Sequence, residues 1–234
     1  MVLRGVAAVQ EWLLPSSPPL RVFTDFTRQL ASSRDNEELP NQLRFVSIAG
    51  FDTTANTLTI LFWLLASRED VQCRLRSEVL DVDARDESSL GSLLYLNAVV
   101  QETLRLFPHA SPLHTRRCTS SIALGSYFIP SGVDVFVDTW SLHRDRGIWG
   151  EDAEEFRPER HLSPLPPGAL LIPFGMGPRQ CIGMRFALLE IRLAVVRVLQ
   201  TFVLLPVETK VRFSLRDTNT IWPEGIRVIF KRLL

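Results

Sequence analysis

The sequence predicts a mainly α protein with a small β part. Three observations carry that expectation. Long runs with helical periodicity fill residues 41–107. Over residues 121–140 the period changes to an alternation broken by turn residues. A stretch dense in proline and glycine, residues 154–180, then leads into a last long helical run.

Taken in order, residues 1–20 form an unassigned N-terminal segment whose end, "LPSSPPL" (Leu14 to Leu20), is a linker by composition. Asn41 to Ala66 reads as a long helix, too apolar all round to lie on a surface. Ser67 to Val82 opens with a Ser cap and an acidic first turn, then becomes amphipathic. Leu93 to Phe107 is a further helix, stopped by Pro108. "SIALGSYFIPSGVDVFVDTW" (Ser121 to Trp140) reads as hairpin strands, and "WSLHRD" (Trp140 to Asp145) as a short structural helix. Residues 154–180 read as an ordered meander, followed by a helix from Gly183 to about Gln200 and short strands over the last thirty residues.

Composition narrows the function classes. The 234 residues are 46% hydrophobic and carry 26 basic against 26 acidic side chains, enough length to bury a substantial core. A net charge of zero gives no field for nucleic acid or an anionic membrane. Cys73, Cys118 and Cys181 are too few and too scattered for a disulfide framework, so a reducing compartment fits. The longest apolar run, "LTILFWLLA" (Leu58 to Ala66), falls short of the ~20 residues that span a bilayer. No transmembrane or targeting segment is read, since Gln10 and Glu11 interrupt the apolar N-terminus.

Chemistry concentrates in "FGMGPRQCIGMRFALLE" (Phe174 to Glu190). Cys181 stands where an apolar helix begins, so the helix dipole and free backbone N–H groups favour its thiolate. Arg179 adds positive charge, Gly177 and Gly183 let backbone approach something flat or bulky, and Phe174 is placed to shield the sulfur. A phosphatase-type loop needs arginine six positions after the cysteine, where this chain has Ala187. Zinc needs further Cys or His at ligand spacing, and none is near. Two readings remain on the residues alone: a buried free cysteine at a helix cap, or a cysteinate ligand of haem iron.

The pattern Phe174-x-x-Gly177-x-Arg179-x-Cys181-x-Gly183, five positions within ten residues, resembles the cytochrome P450 family of haem-thiolate monooxygenases. Further segments follow in that family's order. "ETLRLFP" holds Glu102 and Arg105, and "FRPERHL" holds Arg160; the resemblance implies a buried Glu-Arg-Arg network under the cysteine loop. His161 stands where the family most often has Phe, a change expected to touch packing more than the network. In "AGFDTTANTL", Asp52 and Thr53 are polar groups in an apolar helix. The residues alone allow Thr53 to bond back to a preceding carbonyl while Asp52 reaches solvent. The resemblance instead implies an acid–alcohol pair on the distal face of the haem that holds water and relays protons, with Ala49 and Gly50 leaving room for the macrocycle. In "PHASPLHTRRCT", Arg116, with Arg117 second, is the implied partner of a haem propionate. His109 and His114 read as surface or hydrogen-bonded loop residues.

The wording is most similar to the animal drug-metabolising and thromboxane-synthase branch, and the match runs from residue 21 to residue 234. It implies the C-terminal half of that fold, with haem bound through Cys181 as the metal ligand. It also implies an NADPH-dependent flavoprotein reductase as electron donor, O2 as co-substrate, and a small apolar organic substrate touched by Phe51, residues 109–115 and the turn Asn219 to Ile221. Hydroxylation is the expected reaction, with an isomerase-type variant on a peroxide substrate as the alternative. The full-length family member is expected on the cytosolic face of the endoplasmic reticulum. The family's membrane anchor and N-terminal half are expected to be missing here, leaving this chain cytoplasmic or aggregated. The competing expectation is a truncated, non-catalytic fragment that binds haem weakly or not at all.

Overall fold

In the computed structural model of the chain, residues 38–110, 115–207, 211–216 and 220–233 are described. The N-terminal segment 1–20, His114 and Asn219 lie outside them. Helix α1 (Glu38–Ser67) is the axis of the fold. From Thr54 onward it carries a nearly continuous buried run, including Leu58, Ile60, Leu61 and Leu65. Phe62 meets Phe230 edge-on, and Trp63 meets Phe213 in the same way. Two of its hydroxyls bond within the helix: buried Thr57 donates to the Thr53 carbonyl and half-buried Thr59 to that of Ala55. The first half differs from the expectation of all-round burial, since Phe45, Ile48 and Phe51 are exposed, Ile48 at 74%. The helices and strands packed on α1 lie over its second half. By length and composition Ile48–Ser67 is sufficient to cross a membrane, longer than the apolar run counted in the sequence. Its 56% burial inside the fold is that of a core helix.

Helix α2 (Glu69–Val79) has Arg68 at its N-cap position, one residue after the expected Ser67. Ser67 does not cap it; that hydroxyl donates to Trp63 and ends α1. Buried Gln72 staples α2 to strand β5 (Phe202–Pro206), donating to the Leu65 and Leu204 carbonyls and accepting from the Leu204 N–H. After the short α3 (Glu87–Ser92), helix α4 (Leu94–Leu106) is capped from outside. Both Glu78 carboxylate oxygens accept from its first N–H groups, those of Tyr95 and Leu96.

Among the described residues the β part is four two-stranded antiparallel pairs. β1 (Thr115–Arg117) pairs with β4 (Asp134–Phe136) in the register Arg116 to Val135, and β2 (Ile122–Leu124) pairs with β3 (Tyr127–Ile129) as the expected hairpin. β5 pairs with β8 (Val228–Arg232), and β6 (Arg212–Arg216) with β7 (Thr220–Glu224). "WSLHRD" contributes to a single turn, α5 (Thr139–Leu142), and its last residue, Asp145, caps a second, α6 (Arg146–Trp149); each turn is started by an aspartate accepting from a backbone N–H. Helix α7 (Met184–Thr201) packs on α1, α2 and α4 and completes the core.

His109 is not a surface residue. Its ring Nδ1 faces the Ile221 carbonyl at 3.2 Å, and its own carbonyl accepts from the Ile221 N–H at 3.0 Å. Asn56 of α1 donates to the same Ile221 carbonyl, so three distant segments converge here. Burial pushes the imidazole down to about 4, against the raising effect of the Ile221 hydrogen bond. The unfolded chain takes up this proton near pH 6.5 and the folded chain only near 4. Stability from this group is therefore full above pH 6.5 and is lost as pH falls toward 4. A His109→Phe variant is expected to flatten the urea midpoint between pH 6.5 and 4, and an unchanged pH dependence would refute the assignment.

Candidate functional site

The last turn of α4 brings Glu102 and Arg105 onto one face, three residues apart. Both side chains are 0% exposed. Arg105 grips the carboxylate with two parallel bonds, Nε to Oε2 at 2.8 Å and Nη2 to Oε1 at 2.9 Å. Its remaining N–H groups donate to the carbonyls of His143, Ala153 and Glu155. The single 3₁₀ turn Pro158–His161 swings Arg160 in, and its Nε donates to Glu102 Oε1 at 2.9 Å. The Glu-Arg-Arg cluster expected from three separate positions is thus assembled in space.

His161 is a correction to the expected packing change. Its Nε2 lies 2.8 Å from Glu102 Oε2, so it donates into the cluster, and the Arg157 N–H adds a further bond to Oε1. Imidazole keeps the planar shape of a phenyl ring but offers an N–H, which an acceptor-only carboxylate takes up. Burial alone would raise the Glu102 carboxyl. The bonds from Arg105 and His161 outweigh it and hold the group down at about 2.

The meander after His161 ends in the cysteine loop. The Gly175 N–H donates to the Ile172 carbonyl, and the Cys181 N–H donates back to Phe174 at 2.9 Å, closing the loop on itself. Gly175 and Gly177 turn it with φ of 72° and 73°, a region that disfavours side chains. Gly177 is therefore explained by backbone conformation, since a Cβ there would meet nothing within 4 Å. At Gly183, which precedes the first turn of α7, a Cβ would lie 3.9 Å from the Cys181 sulfur. Cys181 is exposed, as are Arg179, Met176 and Ile182. Phe174 packs against the core and its carbonyl accepts from the Cys181 N–H, while Cys181 itself is exposed.

On α1, Thr53 donates to the Ala49 carbonyl at 2.8 Å, the back-bonded arrangement the residues alone allowed, and Asp52 is half-buried. Ala49 and Gly50 are exposed, with nothing within 4 Å of a Cβ built on Gly50. In β1 the two arginines diverge. Arg117 is committed to Asp134 through two bonds of 2.8 and 2.9 Å, while Arg116 is exposed and bonds the adjacent Thr115 carbonyl. That division favours Arg116 over Arg117 as the arginine available to a ligand. Of the expected substrate wall, His109 and Ile221 are buried and Phe51 is exposed.

These donors suit a haem. An exposed sulfur in a glycine loop, with exposed Met176 and Ile182 near it in sequence and, on a separate strand, an exposed arginine without a carboxylate partner among the described residues, fits an iron ligand, an apolar disc and a carboxylate rim. No cluster of three or more His, Cys, Asp or Glu side chains that could hold a metal ion occurs among the described residues.

The family model for cytochrome P450 matches residues 16–227. The chain belongs to the cytochrome P450 family. Among its relatives are two putative cytochromes P450 of Caenorhabditis elegans. CYP13A8 is 45% identical over 66% of this chain and 31% of its own length, and CYP13A7 is 40% identical over 83% and 39%. Cytochrome P450 3A29 of Sus scrofa is 41% identical over 82% of this chain and 39% of its own. The chain thus spans 31–39% of the length of these P450 relatives. The residue for which the sequence gives no signal is His143, within the "WSLHRD" segment that reads as a short structural helix.

Proposed function

We propose that this chain is the haem-binding region of a cytochrome P450 monooxygenase, with Cys181 as the proximal ligand. The observation that carries the reading is the exposed Cys181 sulfur, presented by a glycine-turned loop at the head of α7. Haem bound there would supply the activation of O2 and the insertion of one oxygen atom into an apolar organic substrate. Cys181 would contribute thiolate charge, and Arg179 and Arg116 the cations for the two propionates. Ala49 and Gly50 leave α1 open to the flat face of the ligand. Asp52 and Thr53 would hold a proton at the carboxyl and hydroxyl oxygens beside that opening, Thr53 by turning its hydroxyl away from the Ala49 carbonyl. Phe51 would touch substrate. A flavoprotein reductase would deliver electrons on the Cys181 side, and the whole protein would work at the endoplasmic reticulum membrane.

A second reading, a fragment that binds haem weakly and catalyses nothing, is favoured by the exposed Phe45, Ile48 and Phe51 on the half of α1 that would face the ligand. The carbon monoxide difference spectrum of the haem-loaded, reduced chain separates the two. A strongly red-shifted Soret band that disappears in Cys181→Ala supports the first reading; its absence from soluble protein supports the second.

A further inference from the structure

His143 is 0% exposed, sits at the end of α5, and has both ring nitrogens engaged. Nδ1 lies 3.1 Å from the Arg105 carbonyl oxygen, which can only accept, so Nδ1 carries the hydrogen. Nε2 lies 3.1 Å from the Ile172 backbone N–H, which can only donate, so Nε2 presents its lone pair. The ring is therefore neutral, in one defined tautomer. Arg105 reciprocates, its Nη1 donating to the His143 carbonyl at 2.5 Å. Arg105 and His143 thus brace each other, backbone to side chain in both directions.

The other side of the ring leads to Cys181. Ile172 is buried and opens the turn in which its carbonyl accepts from Gly175; within that turn, the Phe174 carbonyl accepts from the Cys181 N–H. A short path of hydrogen bonds therefore runs from the Glu102–Arg105 cluster through one imidazole to the backbone of the cysteine. The cluster itself makes its bonds to residues between 143 and 161, and His143 carries its rigidity on to the loop.

We propose that His143, as the neutral Nδ1–H tautomer set by the Arg105 carbonyl, is a positioning residue whose Nε2 holds the Cys181 loop in place through the Ile172 N–H. Its consequence for a haem ligand rests on the function proposed above; the tie itself does not. Glutamine at 143 can still offer a carbonyl oxygen to the Ile172 N–H, in place of Nε2. Asparagine can still offer an N–H to the Arg105 carbonyl, in place of Nδ1. Phenylalanine fills the space and does neither.

Three measurements on the 234-residue chain test this. Long-range proton–nitrogen NMR of the unsubstituted chain should show a pyrrole-type Nδ1 and a pyridine-type Nε2 at His143; the opposite tautomer or an imidazolium overturns the proposal. Amide exchange at Ile172 and Cys181 should speed up by about tenfold or more in His143→Asn and His143→Phe, and stay within about threefold in His143→Gln. Equal protection in Asn and Gln variants, or an unchanged Phe variant, overturns it. If the Phe variant does not fold, the Asn–Gln contrast and the tautomer still decide. In the haem-loaded, reduced chain under carbon monoxide, the red-shifted Soret band should survive His143→Gln and move to shorter wavelength in His143→Asn. A chain without that band before substitution refutes the proposed function, while the tautomer and exchange results still decide the role of His143.

Discussion

Glu102→Gln is expected to destabilise the chain by about 3–5 kcal/mol, the usual cost of removing one partner from a buried ion pair. Glutamine preserves the shape of the site and removes the charge. Arg105, at 0% exposure, would then be buried without a counter-charge, and Arg160, at 5%, would keep only the Asp152 carboxylate 3.4 Å from its Nη2. One glutamine oxygen cannot accept everything the two carboxylate oxygens now accept, and its NH2 would face the N–H groups of Arg105 or His161. The same group sets an acid limit. Its folded-state value of about 2 is below that of an unfolded glutamate, near 4.5. Its stabilisation is therefore full above pH 4.5 and is lost as pH falls toward 2. Integrated over that window it amounts to roughly 3 kcal/mol. Urea denaturation followed at several pH values checks both statements. A midpoint that does not fall below pH 4.5, or a Gln variant as stable as the parent, would refute the assignment.

Arg105→Lys retains the charge and is still expected to cost about 4 kcal/mol or more. The guanidinium serves the carboxylate with two bonds and the carbonyls of His143, Ala153 and Glu155 with the rest. A lysine ammonium has three donors on a flexible stem and cannot reach along both edges of the site. Several buried acceptors would lose their partners at about 1–3 kcal/mol each, and the stacking of the guanidinium 5.1 Å from the Trp149 ring would also be lost. The expected observation is a large drop in the denaturation midpoint with an unchanged m-value. A lysine variant within about 1 kcal/mol of the parent would show that charge alone, and not the fork geometry, holds the cluster.

The family, the Cys181 loop and the Glu102–Arg105 pair were legible in the sequence because each is a local pattern. Five residues around the cysteine lie within one loop, and the acid–base pair lies within one helical turn, so spacing places them together. The Ser67 cap was misread because hydroxyl capping competes with back-bonding to the preceding turn, and at the end of α1 the Trp63 carbonyl wins. The all-round apolar helix was read as wholly buried because periodicity reports how apolar a helix is, not how much of it other elements cover. The first half of α1 shows the difference.

The histidines mark the boundary most clearly. Sequence alone determined the cytochrome P450 family, the mainly α class, the position of the candidate ligand Cys181, and the acid and bases of the buried cluster. The tertiary structure alone decided that His161 donates to a carboxylate 59 residues away, that His109 is buried against Ile221, and that His143 bridges partners 38 and 29 residues from it. Imidazole is a donor, an acceptor or both according to what faces each nitrogen. What faces it is set by chain segments that meet only when the core closes.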